Sequence, residues 1–296
     1  MIIGIPRALF YWKHPLLWEN FFKELGYNIQ LSPQTNKEIV EKGVKTADSE
    51  TCFSVKILYG HLLWLDERVD TIFLPRYKKN SLGEYCPKFF GLPDLSKTFL
   101  KNKIISPQVD FSKDNLQATL MNTGLKLGKS ENIVFEAAKK AQALMHESER
   151  QKKEEYLKKI SSDKKKIIVV SHPYNLYDDY VNLNIKERLE KLGAEVIFID
   201  QIPEGDINNN TFANRFHWEF GKELIALSHS ASREKISGAV EISAFQCGCD
   251  AVIKEFVERE FTGQKIPFLY LLIDEHTAEA GLQTRLEAFI DTLSNR

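Results

Sequence analysis

The chain has 296 residues, 43% hydrophobic and 27% charged, with a formal net charge of −1 at pH 7. That length is at or beyond the point where one hydrophobic core divides into two, and the composition is ordinary for a globular protein in water. A near-neutral balance argues against a nucleic-acid surface, which needs a concentrated basic face, and no apolar run is long enough for a membrane span or a secretory leader.

Ile2 to Ile5 is a short apolar run closed by Pro6-Arg7, and it reads as a first strand. Leu17, Phe21, Phe22 and Leu25 recur at helical spacing within Leu16 to Leu25, and Gly26 is placed to stop that helix. Tyr27 to Leu31 reads as the next strand, then Ser32 to Asn36 as a turn whose Asn36 caps a helix over Lys37 to Gly43. This β-α-β-α opening predicts a parallel sheet with helices on its faces. Ile57, His61, Leu62 and Leu65 continue at helical intervals and place Cys52 at a helix start. Val69 to Pro75 reads as a buried strand. The stretch from Arg76 to Leu95, interrupted by Gly83, Pro87, Gly91 and Pro93, reads as a long loop around Cys86.

Asn115 to Leu127 and Glu131 to Ile160 read as helices, and the charge run from His146 to Glu155 is a solvated helix face. A second α/β unit starts with the strand Ile167 to Val170, which ends in Ser171-His172-Pro173. A helix over Val181 to Leu192 stops at Gly193 and leads to a strand over Glu195 to Ile199. The helix Phe216 to Leu227, the strand Ala239 to Phe245 and the helix Ala251 to Phe261 follow. Pro267 to Ile273 is the last strand, and Leu282 to Leu293 the last helix. The expected organisation is an α/β domain over residues 1–112, a helical bridge over 113–165 and a second α/β domain over 166–296. No repeat, phosphate loop or G-x-G-x-x-G turn is present.

Four cysteines carry the chemistry: Cys52, Cys86, Cys247 and Cys249. All lie at strand ends, at helix starts or among prolines and glycines. Cys247-Gly248-Cys249 forms a strand-to-helix turn, where thiolates gain from free helix N–H groups. In a cytoplasmic setting, which the absence of a leader leads one to expect, sparse cysteines point to metal or redox use over disulfides. Four sulfurs around one metal centre is the reading followed here. Small buried hydrophobes, a zinc site without the usual C-x₂-C pair, and a nucleophilic cysteine with His61 or His276 as base stay open beside it. Asp274-Glu275-His276 at a strand end is either a capping turn or a functional cluster. Arg7 and His172 also stand at strand ends.

Several motifs resemble one known family in order: Ile3-Gly-Ile-Pro-Arg-Ala-Leu9, Glu50-Thr-Cys-Phe-Ser-Val-Lys56 with Gly60-His61, Phe245-Gln-Cys-Gly248 and Ile273-Asp-Glu-His-Thr-Ala-Glu-Ala-Gly281. The resemblance is to the activase-associated relatives of the 2-hydroxyacyl-CoA dehydratases, the CoA-substrate-specific enzyme activase or acyl-CoA dehydratase activase-related proteins. It implies two Rossmann-like domains with parallel sheets and a [4Fe–4S] cluster in the cleft between them. It also implies an oxygen-sensitive protein of anaerobic metabolism that receives electrons from an ATP-dependent activase or another donor. Cys52, Cys86 and Cys247 match the family's cysteine positions, whereas Cys249 stands where another residue is common. Arg7, His61, Glu275 and His276 are expected around the cluster, where charge and hydrogen bonds to sulfur tune it. Long family members carry an ATPase module ahead of this region, so this chain is expected to work beside such a motor, not as one. A dehydratase-like or reductase-like enzyme acting on acyl-CoA at an open iron is the alternative. A zinc-stabilised binding module is a third reading, and a homodimer is the assembly considered.

Overall fold

A computed structural model describes residues 1–112, 115–203 and 216–294. The chain divides into two compact units, Met1–Ser49 with Val55–Arg150, and Glu50–Ser54 with Gln151–Arg296. The first residue of the expected bridge, Lys113, lies outside the described residues.

Unit 1 runs β1 (Ile2–Ile5), α1 (Pro15–Glu24), β2 (Asn28–Leu31), α2 (Lys37–Thr46), α3 (Phe53–Asp66), β3 (Thr71–Phe73), β4 (Arg76–Lys79), α4 (Pro87–Ser96), β5 (Lys103–Ile105), β6 (Gln108–Asp110) and α5 (Asn115–Lys126), then enters α6 (Glu131–Ile160). Its main sheet has the order β2-β1-β3-β5, parallel throughout. Helices supply the crossovers that parallel pairing demands. Gly26 takes φ +80, and its N–H bonds Lys23 O while Tyr27 N–H bonds Phe22 O. That pair of bonds is the left-handed C-terminal stop expected of a glycine there. Asn36 accepts from Ile39 N–H and so caps α2, as expected.

Two glycines let α2 and α3 approach closely. A Cβ on Gly43 would lie 1.9 Å from Lys56 O, and one on Gly60 would lie 1.9 Å from Ile39 O. Both contacts are with backbone, so no rotamer change relieves them. Gly60 thereby sets the depth of α3 and, one residue on, the place of His61.

The loop expected from Arg76 to Leu95 is instead ordered structure. β4 pairs with β6 in parallel, Lys79 bridges Glu84, and Pro87 opens α4 at its first turn. Proline is tolerated at that position because the missing N–H has no helical acceptor there. Arg76 then fastens the helix, with Nη1 to Phe90 O at 3.1 Å and both guanidinium nitrogens on Asp94 at 2.6 and 2.7 Å. Pro87 and Pro93 were read as breakers, yet one starts the helix and the other lies inside it.

Unit 2 holds β7 (Lys165–Val170), α7 (Pro173–Leu176), α8 (Ile185–Lys191), β8 (Ala194–Phe198), α9 (Glu219–Ala231), β9 (Gly238–Ala244), α10 (Gly248–Thr262), β10 (Phe268–Ile273) and α11 (Glu279–Ser294). Its parallel sheet has the order β10-β9-β7-β8. Ile167, Ile168, Val169 and Val170 are all fully buried, as expected of a parallel strand covered on both faces. The helix expected over Val181 to Leu192 begins only at Ile185, and Leu183 and Asn184 ahead of it take positive φ. After β8 the chain returns to the other side of β7 to form β9. The carboxyl ends of β7 and β9 are therefore the switch point of this sheet, where open α/β folds gather ligands. Among the described residues no helix is long and apolar enough to cross a membrane.

Candidate metal centre

The site is built at that switch point in unit 2. β9 ends at Ala244, and a two-residue turn with Gln246 at φ +62 delivers Cys247 as the N-cap of α10. Such a conformation costs a non-glycine residue about 1–3 kcal/mol and is held by its surroundings. Cys247 N–H bonds Ala244 O at 3.0 Å, closing the turn. β7 ends at Val170, and Ser171 and His172 follow. Ser171 Oγ donates to Ile242 O at 2.5 Å and accepts from Asn175 Nδ2 at 3.0 Å, which ties the two strand ends together.

Cys52 reaches the same place from far away in sequence. Phe53 N–H donates to Phe245 O at 3.1 Å, and Ser54 Oγ donates to Asn175 Oδ1 at 3.3 Å. These two bonds hold the residues just after Cys52 against the ends of β9 and α7. Cys249 follows Gly248 in the first turn of α10, and its Sγ lies 3.4 Å from where a Cβ on Gly221 of α9 would stand. Tyr174, itself buried, lies within electrostatic reach of this set. Its hydroxyl is pushed well up by burial and then by the charges of Cys247, Asp250, Cys52 and Cys249. Three of the four predicted cysteines thus share one electrostatic neighbourhood. None of the four is joined in a disulfide among the described residues.

Two further residues complete the centre. Asp250, only 3% exposed, accepts from His172 Nε2 at 2.6 Å and from Ser243 Oγ at 2.9 Å. Burial alone would raise its carboxyl, but the charge and hydrogen bond of His172, with bonds from Cys247 and Ser243, hold it below the usual carboxylate value. An ionised Asp250 keeps a proton on Nε2 of His172. The other ring nitrogen, Nδ1, is buried and has no hydrogen-bond partner among the described residues. A ring nitrogen of His172, Sγ of Cys247 and a carboxylate oxygen of Asp250 all lie within 4.8 Å of one another, a donor set able to hold a metal ion.

The thiol of Cys247 is pushed far up, first by burial and then by the Asp250 charge, with the Asp250 backbone N–H opposing them. The helix start was expected to favour a thiolate there, and burial outweighs it. A bound cation would supply the missing compensation, since a coordinating thiol is deprotonated outright.

Cys86 belongs to unit 1, where it is the half-buried N-cap of α4. His61, also in unit 1, is fully buried between Ser32 Oγ at 2.8 Å and Thr35 Oγ1 at 2.9 Å. Ser32 Oγ also accepts from Arg7 N–H, and of the two ring nitrogens of a neutral His61 one donates and the other accepts. Burial, and then the charge of Arg7, lower the His61 pKa to about 3, which leaves a neutral structural imidazole. In unit 2, Asp274 Oδ1 accepts from His276 N–H and from Thr277 Oγ1, so the carboxylate ties the turn ahead of α11. The side chain of His276 is exposed and Glu275 is half-buried. Asp250 was missed in the sequence because it looks like any acidic residue in a helix first turn.

The C-terminal domain of glucosamine-fructose-6-phosphate aminotransferase from Francisella tularensis is similar over 99% of this chain and 84% of that one, at 10% identity and a TM-score of 0.26. No curated protein matches the sequence. The model of the CoA enzyme activase uncharacterised domain matches residues 2–202, more than half of the chain. The chain belongs to that family.

Proposed function

We propose that this chain is an iron–sulfur protein that carries a [4Fe–4S] cluster on unit 2 and passes electrons supplied by an ATP-dependent activase or another low-potential donor. The observation that supports it most is the convergence of Cys52, Cys247 and Cys249 with His172 and Asp250 at the switch point of the second sheet. The donors fit the group. Thiolates are the usual holders of such clusters, and here the cysteines are outside any disulfide, partly buried and accompanied by the buried Nδ1 of His172, which has no hydrogen-bond partner among the described residues. When bound, the cluster supplies reversible one-electron transfer. The chain's own part is to hold Cys247 and Cys249 at the start of α10 with Cys52 pinned beside them, to fix His172 through Asp250 and to exclude water with Tyr174 and Phe220. The proposal keeps the two Rossmann-like domains implied by the resemblance and the helical bridge expected from the sequence.

The fourth iron separates electron transfer from catalysis. A fourth protein ligand saturates the cluster and suits electron transfer, whereas an open iron suits a dehydratase or reductase acting on acyl-CoA. Protein purified without oxygen is expected to show broad absorption at roughly 400 nm that bleaches on reduction with dithionite, with an EPR signal appearing in step. A colourless protein with stoichiometric zinc would instead be the zinc-stabilised module.

A further inference from the structure

We infer that His172 is itself a ligand of the cluster, taking the position that the cysteine pattern assigns to Cys86. The inference rests on the cluster reading above and concerns one residue of unit 2. His172 is 1% exposed, and its Nδ1 has no hydrogen-bond partner among the described residues. Leaving a buried polar atom unsatisfied is costly, so the arrangement persists where something offsets it.

The rest of the imidazole is held as metal-binding histidines are held. Nε2 meets Asp250 Oδ1 at 2.6 Å, and Asp250 is fixed in turn by Ser243. A carboxylate on one ring nitrogen sets the tautomer, fixes the ring and makes the other nitrogen a better donor. The rings of Phe220 and Tyr174 lie 4.9 and 5.1 Å from the imidazole, centre to centre, and block rotation. One ring nitrogen stands within 4.8 Å of Cys247 Sγ. His172 follows β7 and Cys247 follows β9, so the two neighbouring strand ends each contribute a donor. Unit 2 by itself then supplies three thiolates and one imidazole, whereas Cys86 belongs to unit 1 as the N-cap of α4. A neutral imidazole in place of a thiolate leaves the cluster one negative charge poorer, which raises its reduction potential.

The test uses the full chain, loaded with its cluster, reduced with dithionite and examined by pulsed EPR, with and without ¹⁵N-labelled histidine. The chain has seven histidines. The expected result is a nitrogen coupling that changes with the label, is lost in His172→Cys while iron is kept, and survives in Cys86→Ala. The potential of His172→Cys is expected to fall. Iron-loaded wild type without histidine coupling overturns the inference, as does a coupling that persists in His172→Cys. If that variant does not fold, the labelled wild type and Cys86→Ala decide the matter: loss of the cluster in Cys86→Ala returns the position to the cysteine. A wild-type protein that binds neither iron nor sulfide fails the cluster reading itself, a different and separately visible outcome.

Discussion

On the proposed reading, Cys247→Ala protein purified without oxygen will hold less than about a tenth of the wild-type iron, and Cys52→Ala will match it, because each removes one of the proposed thiolate ligands. Cys247 stands on a turn fixed by the Ala244 carbonyl, and the residues after Cys52 are pinned to Phe245 and Asn175. Neither sulfur can be supplied from a neighbouring residue without breaking those bonds. Cys249→Ala reports on the third thiolate. Equal loss makes Cys249 a ligand, and retention with an altered EPR spectrum leaves that iron open. Iron should be measured against folded protein by far-UV circular dichroism, so that unfolding is not counted as ligand loss. Full iron in Cys247→Ala would remove the switch point as the metal centre.

Stability will fall as pH rises from about 5 to about 8, with a slope near 1.4 kcal/mol per pH unit from one group, Glu241. Glu241 lies inside β9, paired with Tyr270 on one side and Val170 on the other, and is 2% exposed. Its Oε2 is buried without a hydrogen-bond partner among the described residues. Burial, then the Asp250 charge, raises its pKa from 4.5 to about 9, with Lys254 opposing and Glu258 adding to the rise. The folded chain therefore keeps a proton that the unfolded chain releases above 4.5, so the native state is favoured less as pH climbs toward 9. Asp250 has the opposite sign. Its lowered pKa contributes stability that is present above the ordinary carboxylate value and lost only in acid, a separate window. Glu241→Gln removes the titration while keeping the shape. It should flatten the profile, being more stable than wild type at pH 8 and close to it at pH 5. Urea unfolding at three pH values checks this, and an unchanged slope in the variant would reassign it.

Much of the architecture was legible in the sequence because it is local. The span Glu131–Ile160 of α6, the strand Ile2–Ile5, the Gly26 stop and the Asn36 cap follow from spacing and end signals within a few residues. Parallel sheets followed from the alternation of elements. The segment around Cys86 was misread because a proline at the first turn of a helix looks the same in sequence as one that ends it. Tertiary fastening by Arg76 decides the outcome there.

The candidate site was legible in half. Cys52, Cys247 and Cys249 stood out by rarity and by their places at element ends. The His172–Asp250 pair did not, because its members are 78 residues apart and meet only through the β7–β9 pairing. Nor could spacing show that burial would outweigh the helix start at Cys247. His61 was singled out as a histidine beside a cysteine segment, yet its two ring nitrogens are taken up by Ser32 and Thr35.

The most direct measurement is chemical analysis of iron, acid-labile sulfide and zinc in protein purified and handled without oxygen. The account predicts about four irons and about four sulfides per chain, with zinc well below one. One zinc per chain with negligible sulfide, or no metal at all in a folded protein, would contradict it.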